Sequence, residues 1–192
     1  VYVLDDCLTD EECDQLVTVS ATRLRGSTIP RQELYEGLRT SSTCDLVYMD
    51  HPIVELAINK TAAALGINPS YSEGIQVQRY EVGQQFKPHH DYFEPYSEDY
   101  YKFSEGRGNR TWTFMVYLND TPKGGGTEFV TLGQTFYPKK GRAIVWNNLK
   151  PDGSVNPNTL HSGLPVEEGY KVIITHWFRE LGQGPMMLEE PR

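Results

Sequence analysis

Residues 80–93 read YEVGQQFKPHHDYF, a polar and aromatic run in which a histidine and an aspartate lie two positions apart. Side chains two apart on a β-strand share one face, so His89 and Asp91 can reach the same centre while His90 points away. Two ligands do not hold a catalytic metal firmly, so a third must come from another part of the chain. The segment therefore predicts a β-strand that carries part of a metal site.

Three further histidines are candidates for the third ligand: His51, His161 and His176. His161 lies on a late predicted strand, and Lys171 follows it after a turn at Gly169. Two neutral imidazoles and one carboxylate on one face of a metal leave other positions open, which suits Fe(II) and dioxygen chemistry. A nearby lysine offers a compact positive charge to a carboxylate of an anionic cosubstrate. These features favour His161.

The rest of the chain predicts one domain, residues 1–192, with helices followed by a β-rich core. A strand is expected over residues 1–5, then a helix capped by Thr9, and a second helix from about Pro52 to Leu65 with Gly66 as its C-cap. Short strands are expected after residue 70, at Gly74–Tyr80, Thr111–Leu118, Thr127–Val130, Thr135–Tyr137, Ala143–Trp146, Leu160–Ser162 and Lys171–Arg179. Short strands separated by Gly- and Pro-rich turns are typical of a sandwich or barrel.

Charge and composition exclude several classes of partner. The 192 residues carry 26 acidic and 18 basic side chains, a net charge of −8, so no nucleic-acid partner is expected. No run approaches the roughly 18 apolar residues of a membrane span, so no membrane-spanning segment is expected in this chain. Three cysteines are too few for a disulfide framework, which favours a cytoplasmic location. Because the first residue is Val1, a trimmed N-terminus is expected and the secretory pathway stays open; the sequence does not predict an oligomeric state.

Four motifs in combination resemble the prolyl 4-hydroxylase family. They are Y-x-x-G-x-x-x-x-P-H-x-D-Y-F from Tyr80, R-x-x-T-x-x-x-Y-L-N from Arg110, G-G-G-T-x-F from Gly124, and H-x-G-x-P-V-x-x-G-x-K from His161. The resemblance extends over residues 3–179. It implies a fold that is mainly β with flanking helices, in which a double-stranded β-helix (jelly-roll) core follows the N-terminal helices.

The resemblance also implies the catalytic residues and the cofactors. His89, Asp91 and His161 would bind Fe(II), and Lys171 would bind the distal carboxylate of 2-oxoglutarate. Two tyrosines would line or hydrogen-bond the 2-oxoglutarate pocket, Tyr80 and Tyr117. The implied reaction consumes O2 and 2-oxoglutarate, hydroxylates peptidyl proline at C4 and releases succinate and CO2, with ascorbate as the expected reductant. Because related halogenating enzymes have a small residue in place of Asp91, the aspartate argues against halogenation.

A proline-containing peptide or protein is the expected partner. The resemblance places Arg110 beside the peptide groove and Trp177 near the metal and the substrate. Residues 92–109 begin with Tyr92, are rich in Tyr and Phe, and are longer than a hairpin turn, so they predict a mobile lid. Aromatic rings suit an extended proline-rich peptide. Phe86 departs from the family, since many members have a tyrosine there whose hydroxyl helps to hold the substrate.

Three alternatives stay open at the level of sequence. The first keeps iron and 2-oxoglutarate but acts on a lysyl side chain, a free amino acid or another small molecule, and Phe86 motivates it. The second is a non-catalytic jelly-roll module that binds peptides, which predicts a missing ligand or a missing lysine, although the chain has both. The third, a zinc hydrolase, fits the ligand types but leaves Lys171 without a role.

Overall fold

The computed structural model describes residues 1–27 and 37–188. Those residues contain three α-helices: α1 Asp10–Ala21, α2 Pro52–Leu65 and α3 Glu98–Ser104. In these two ranges no helix combines the length and the apolar character that crossing a membrane requires.

Local sequence fixes the ends of the first two helices, as predicted. Thr9 accepts a hydrogen bond from the Glu12 N–H at 3.2 Å, and the Glu12 carboxylate accepts one from the Thr9 N–H at 2.8 Å, which forms a capping box. Helix α2 begins at Pro52 and is closed by Gly66, whose φ of 65° is a left-handed conformation that glycine adopts without strain.

The strands within the described residues, in chain order, are β1 Tyr2–Leu4, β2 Arg25–Gly26, β3 Ser42–Asp45, β4 Ser72–Tyr80, β5 Phe86–His89, β6 Arg110–Tyr117, β7 Lys123–Gly124, β8 Thr127–Phe129, β9 Gln134–Phe136, β10 Ala143–Asn147, β11 His161–Gly163, β12 Val166–Glu168 and β13 Lys171–Arg179. They form a seven-stranded sheet in the order β1-β10-β6-β13-β4-β3-β2 and a four-stranded sheet in the order β5-β11-β8-β9. Strands β12 and β7 form a separate pair.

The larger sheet separates two apolar clusters, and strand β6 shows how. Phe114 and Val116 pack in a cluster with buried residues of α1 and α2, whereas Met115 and Tyr117 pack in a second cluster with Phe129 of β8 in the smaller sheet. This alternation follows from the two-residue period of a strand. Helices α1 and α2 therefore cover one face of the large sheet, and the small sheet packs on the other.

Strand register places the predicted site residues opposite one another. His161 of β11 is the direct partner of His89 on β5, and Lys171 of β13 is the partner of Tyr80 on β4. One premise of the sequence analysis is wrong: β5 ends at His89, and Asp91 lies in the bend that follows. Hydrogen bonds from β6 to the backbone and side chain of Asp91 hold it there instead of a strand ladder.

Helix α3 was not predicted, although its start follows the usual rules. Ser97 caps the helix by accepting a hydrogen bond from the Tyr100 N–H, and two acids occupy its first turn, Glu98 and Asp99. A seven-residue helix gives little periodicity to detect, so the sequence of residues 92–109 predicts only a long connection.

Candidate active site

Three side chains converge at one point between the two sheets. One ligand atom from each of His89, Asp91 and His161 lies within 4.8 Å of the others. Nε2 of His89 is 3.8 Å, and Nε2 of His161 is 3.9 Å, from the same Asp91 oxygen, Oδ1. All three side chains are therefore within reach of a single ion.

Backbone hydrogen bonds fix which imidazole nitrogen faces the centre. Nδ1 of His89 lies 2.8 Å from the Lys87 carbonyl oxygen, and Nδ1 of His161 lies 2.8 Å from the Thr159 carbonyl oxygen. A carbonyl can only accept, so each Nδ1 carries a proton, and in the neutral imidazole the lone pair is on Nε2, the nitrogen that faces the centre. Such a bond on the distal nitrogen is the usual support of a metal-binding histidine.

The charge states also suit a metal. Burial lowers the pKa of His89, and the neighbouring His161 lowers it further. Burial alone would raise the pKa of Asp91, but His161, His89 and Arg110 outweigh burial and hold that pKa below its usual range. The site thus offers one carboxylate and two imidazoles, the donor set of Fe(II) oxygenases.

Aromatic rings hold the two imidazoles in place. The Phe86 ring stacks on His89 with centroids 3.5 Å apart and planes 16° from parallel. The centroid of the Trp146 ring lies 4.7 Å from that of His161, and the centroid of the Phe129 ring lies 5.7 Å from it. These contacts restrict ring rotation and keep water from one side of the site.

Lys171 lines the same cavity as the three ligands, a space of about 50 Å³. Its side chain is 1% exposed, and its ammonium donates a hydrogen bond of 2.9 Å to the Gly125 carbonyl. Burial lowers the pKa of Lys171 to about 7, and no carboxylate among the described residues compensates its charge. A buried cation without a counter-ion favours an anionic ligand in this cavity.

Gly163 provides part of the space beside Lys171. It lies two residues after His161 on β11, on the same face of the strand. A Cβ at this position would lie 3.4 Å from the Lys171 ammonium and 3.6 Å from Phe86. A larger side chain would therefore fill the cavity between the imidazole and the ammonium.

A larger groove of about 610 Å³ meets the cavity at the metal-binding residues. Five residues line both spaces: Arg39, Phe86, His89, Asp91 and Trp177. The groove is also lined by aromatic side chains of the segment 92–109, namely Tyr92, Phe93 and Phe103. The candidate metal centre is thus open to a small buried cavity on one side and to a long groove on the other.

Arg110 is held rigidly in the wall of this groove. Its guanidinium makes two hydrogen bonds to the Glu73 carboxylate, at 2.7 and 2.9 Å, and Arg179 binds the same carboxylate at 2.8 Å. Arg110 also donates to the Asp91 carbonyl at 3.3 Å and lies 4.1 Å above the Trp177 ring. Arg110 therefore supports both the groove wall and the backbone of a ligand residue.

The predicted pocket tyrosines occupy different positions. Tyr80 lines the cavity, and its ring centre is 4.4 Å from the Lys171 ammonium. Tyr117 lies behind the wall, where its hydroxyl is 2.7 Å from the Thr127 hydroxyl and 3.0 Å from the Phe136 carbonyl. Since Thr127 lines the cavity, Tyr117 contacts the cavity through this threonine.

The other histidines lie away from the three ligands. His90 stacks on Tyr92, with ring centroids 4.5 Å apart. His51 caps α2, and His176 is buried in the core. Within the described residues, these placements leave His161 as the candidate for the third ligand.

Residues 92–109 are tied together near their ends. The Asn109 side chain accepts from the Phe93 N–H and donates to the Phe93 carbonyl, each at 2.8 Å. Phe93 stacks on Phe103, whose carbonyl accepts a hydrogen bond from Arg179. Movement of this segment as a lid stays a prediction.

Sequence reasoning missed several supporting residues. Glu73 binds Arg110 and Asn148 binds Thr113, but neither belongs to any of the four motifs, whereas Thr113 is the threonine of the R-x-x-T-x-x-x-Y-L-N motif and was given no role. Thr113 left a further trace, because it is a polar residue on the strand face that otherwise points into the second apolar cluster.

Comparison with known proteins agrees with this geometry. The family profile described as the 2OG-Fe(II) oxygenase superfamily matches residues 75–179. Prolyl 4-hydroxylase subunit alpha-1 of Gallus gallus is 32% identical over 182 residues, which cover 93% of this chain and 35% of that protein. Probable prolyl 4-hydroxylase 8 of Arabidopsis thaliana is 33% identical over 200 residues, which cover 92% of this chain and 67% of that protein. The chain thus spans about a third of the alpha-1 subunit.

Among solved structures, the 2OG complex of the viral collagen prolyl hydroxylase vCPH from Paramecium Bursaria Chlorella virus-1 is similar throughout. The TM-score is 0.75 at 28% identity, and the match covers 94% of this chain and 96% of that one. The expected mainly β fold with a jelly-roll core is confirmed by this likeness.

Proposed function

Because this chain belongs to the 2OG-Fe(II) oxygenase superfamily and, within it, to the prolyl 4-hydroxylase family, we propose that it hydroxylates peptidyl proline at C4. Fe(II) with 2-oxoglutarate supplies the dioxygen chemistry, which releases succinate and CO2 and oxidises the substrate. The proposed substrate is a proline-containing peptide or protein, and ascorbate is the proposed reductant.

One observation carries the proposal: the three ligands lie where the Lys171 cavity meets the large groove. His89 and Asp91 line both spaces, and His161 lines the cavity. A cosubstrate in the cavity and a polymer in the groove could therefore approach the same ion from different sides. Holding two reactants in this way contributes strongly to rate enhancement.

The cavity suits a 2-oxo dicarboxylate because its two ends differ. At one end the two histidines and Asp91 would hold the iron, beside the 2-oxo acid group of the cosubstrate. At the other end the ammonium of Lys171 would bind the distal carboxylate, in place of or beside its present bond to the Gly125 carbonyl. Gly163 leaves the space between these ends free of side chain.

The remaining cavity residues orient the reactants and exclude water. Trp146 and Phe129 are buried against His161, and Phe86 covers His89. Each of these contacts limits where the imidazole planes can turn. A dry site strengthens the interactions between charged groups and prevents side reactions.

The groove supports an extended peptide as the substrate. Its walls carry the rings of Tyr92, Phe93 and Trp177, and its volume of about 610 Å³ far exceeds that of the cavity. Proline-rich segments adopt a preformed polyproline II helix that packs against aromatic walls with little ordering cost. Arg110 keeps Trp177 in place beneath such a peptide.

A peptide panel analysed by mass spectrometry tests the proposal. Purified protein with Fe(II), 2-oxoglutarate and ascorbate is offered proline-rich peptides, lysine-containing peptides and free amino acids, and fragment ions locate any added oxygen. We expect a gain of one oxygen on proline and none on lysine. Hydroxylation confined to lysine, or to free amino acids, would contradict the prolyl assignment while keeping the iron chemistry.

A further inference from the structure

The two oxygens of the Asp91 carboxylate have different surroundings. Oδ1 lies 3.8 and 3.9 Å from the two imidazole Nε2 atoms, whereas Oδ2 is 2.8 Å from the Thr113 hydroxyl. That hydroxyl is in turn 2.9 Å from the side-chain nitrogen of Asn148. Thr113 and Asn148 are both 0% exposed, so water does not compete for these bonds.

The direction of this hydrogen-bond chain follows from the chemistry of its ends. An ionised carboxylate can only accept, so the Thr113 proton is donated to Asp91. The Thr113 oxygen then has only lone pairs left, and Asn148 must present its NH2 group to it. The other end of that amide, Oδ1 of Asn148, has no partner among the described residues, so the donor side determines its orientation.

The surrounding backbone holds Thr113 and Asn148 in place without a bound metal. The Asn148 N–H donates to the Thr111 carbonyl at 2.7 Å, and its carbonyl accepts from the Asn156 N–H at 2.8 Å. Thr113 lies inside β6, where its neighbours on β10 and β13 are Trp146 and Trp177. Since a β-branched side chain has few χ1 choices, its hydroxyl has a fixed direction.

We propose that Thr113 and Asn148 are positioning residues that hold the Asp91 carboxylate with Oδ1 toward the metal. This inference rests on the proposed function, because it concerns the iron ligand of that site. Carboxylates bind metals through one oxygen or both. A second bond from Asp91 would occupy a coordination position that 2-oxoglutarate or O2 needs. The bond from Thr113 engages Oδ2 and so preserves that position.

Binding of Mn(II), measured from the electron paramagnetic resonance signal of the free ion, tests the inference without turnover. Loss of a hydrogen bond to a ligand typically weakens metal affinity about 10–100-fold. We expect Thr113→Val to lose about tenfold or more, and Thr113→Ser to recover most of it. The Mn(II) affinity of Asn148→Leu should lie between those of wild type and Thr113→Val. In this variant the Thr113 hydroxyl can still donate to Asp91, but Asn148 no longer orients it.

Thr111→Val is the matched control. Thr111 lies two residues away on the same face of β6, and its hydroxyl donates to the Phe178 carbonyl at 3.1 Å and to no ligand. We expect Thr111→Val to lower the thermal midpoint of the metal-free protein about as much as Thr113→Val, yet to bind Mn(II) like wild type. Equal Mn(II) affinity in both variants would overturn the inference alone. A wild type that does not bind Mn(II) would overturn the metal site and the inference with it.

Discussion

The ammonium nitrogen of Lys171 lies 4.4 Å from the ring centre of Tyr80, its direct cross-strand partner on β4. The ammonium thus lies over an aromatic face and donates to one backbone carbonyl, and no carboxylate among the described residues balances its charge. A cation–π contact and one hydrogen bond offset only part of the cost of burying a charge. The pair therefore forms the cationic end of an anion-binding cavity.

This environment predicts that 2-oxoglutarate affinity depends on pH. Burial lowers the pKa of Lys171 from 10.5 to about 7, whereas a bound carboxylate would raise it again. Above pH 7 the ligand must therefore bind together with a proton, and affinity should fall about tenfold per pH unit. Calorimetric titration with Mn(II) in place of Fe(II), between pH 6.5 and 9, measures this slope. Lys171→Arg stays charged throughout and should give a flat profile, and a flat profile in wild type would contradict the assignment.

The same pKa predicts a trend in the stability of the ligand-free protein. An unfolded lysine keeps a pKa near 10.5, so between pH 7 and 10.5 the unfolded state holds more protons than the folded state. Burial of Lys171 therefore lowers the free energy of unfolding most below pH 7, and this destabilisation diminishes as the pH rises. Replacing Lys171 with Met removes the titrating group. The stability gained by Lys171→Met should accordingly be larger at pH 6.5 than at pH 9, measured by urea unfolding; a gain independent of pH would speak against a lowered pKa.

Adjacent histidines should behave differently toward metal. His89→Ala removes an imidazole whose Nε2 lies 3.8 Å from Asp91, whereas the His90 ring stacks on Tyr92. We expect His89→Ala to abolish Mn(II) binding in the micromolar range and His90→Ala to leave the dissociation constant within about twofold, since only the former loses a ligand. Equal losses in the two variants would show that the ligand set is misassigned.

Much of this arrangement could be predicted from the sequence, and the reasons are local. The Thr9 capping box and the Gly66 cap mark helix ends within a few residues of chain, so both helices were placed correctly. Strand β13 was predicted with the bounds the structure has, because its apolar run lies between a Gly turn and a charged end. Such features depend only on neighbours in sequence.

What could not be predicted depends on contacts between distant residues. Asp91 lies beyond the end of β5 because side chains of β6 bind it, and no pattern near residue 91 encodes those partners. Glu73 is likewise unremarkable in sequence until the fold brings two arginines to it. The short strand β3 pairs with β4, and β2 pairs with β3, so this pairing and not their own periodicity defines them.

The Glu73 carboxylate should contribute substantially to stability. It binds Arg110 and Arg179, whose side chains are 19% and 5% exposed, and both arginines would lose their counter-ion in Glu73→Gln. Breaking a largely buried ion pair costs about 3 kcal/mol, so urea unfolding should show a loss of that order. Glu167→Gln removes an exposed pair with Lys123 and should leave the midpoint unchanged. Equal losses of stability in Glu73→Gln and Glu167→Gln would contradict a stabilising role for the buried ion pairs.

Phe86→Tyr should alter peptide use and not cosubstrate use. Phe86 stacks on His89 and lines both the cavity and the groove, and we expect the added hydroxyl to reach the groove. One new hydrogen bond of about 1 kcal/mol would lower the peptide KM about fivefold, with the KM for 2-oxoglutarate unchanged. Steady-state kinetics with each substrate varied in turn measures both constants. An unchanged peptide KM would indicate that the substrate does not pass position 86.

The most direct test of the proposed function is succinate release from 2-oxoglutarate, with Fe(II) and ascorbate, in the presence and absence of a (Pro-Pro-Gly)-type peptide. Wild type is compared with His161→Ala and Lys171→Ala. We predict that the peptide stimulates turnover by the wild type and that His161→Ala shows no turnover. Lys171→Ala should turn over only at high 2-oxoglutarate concentration. Absence of metal-dependent succinate release from wild type, with any peptide, would contradict the proposed enzyme.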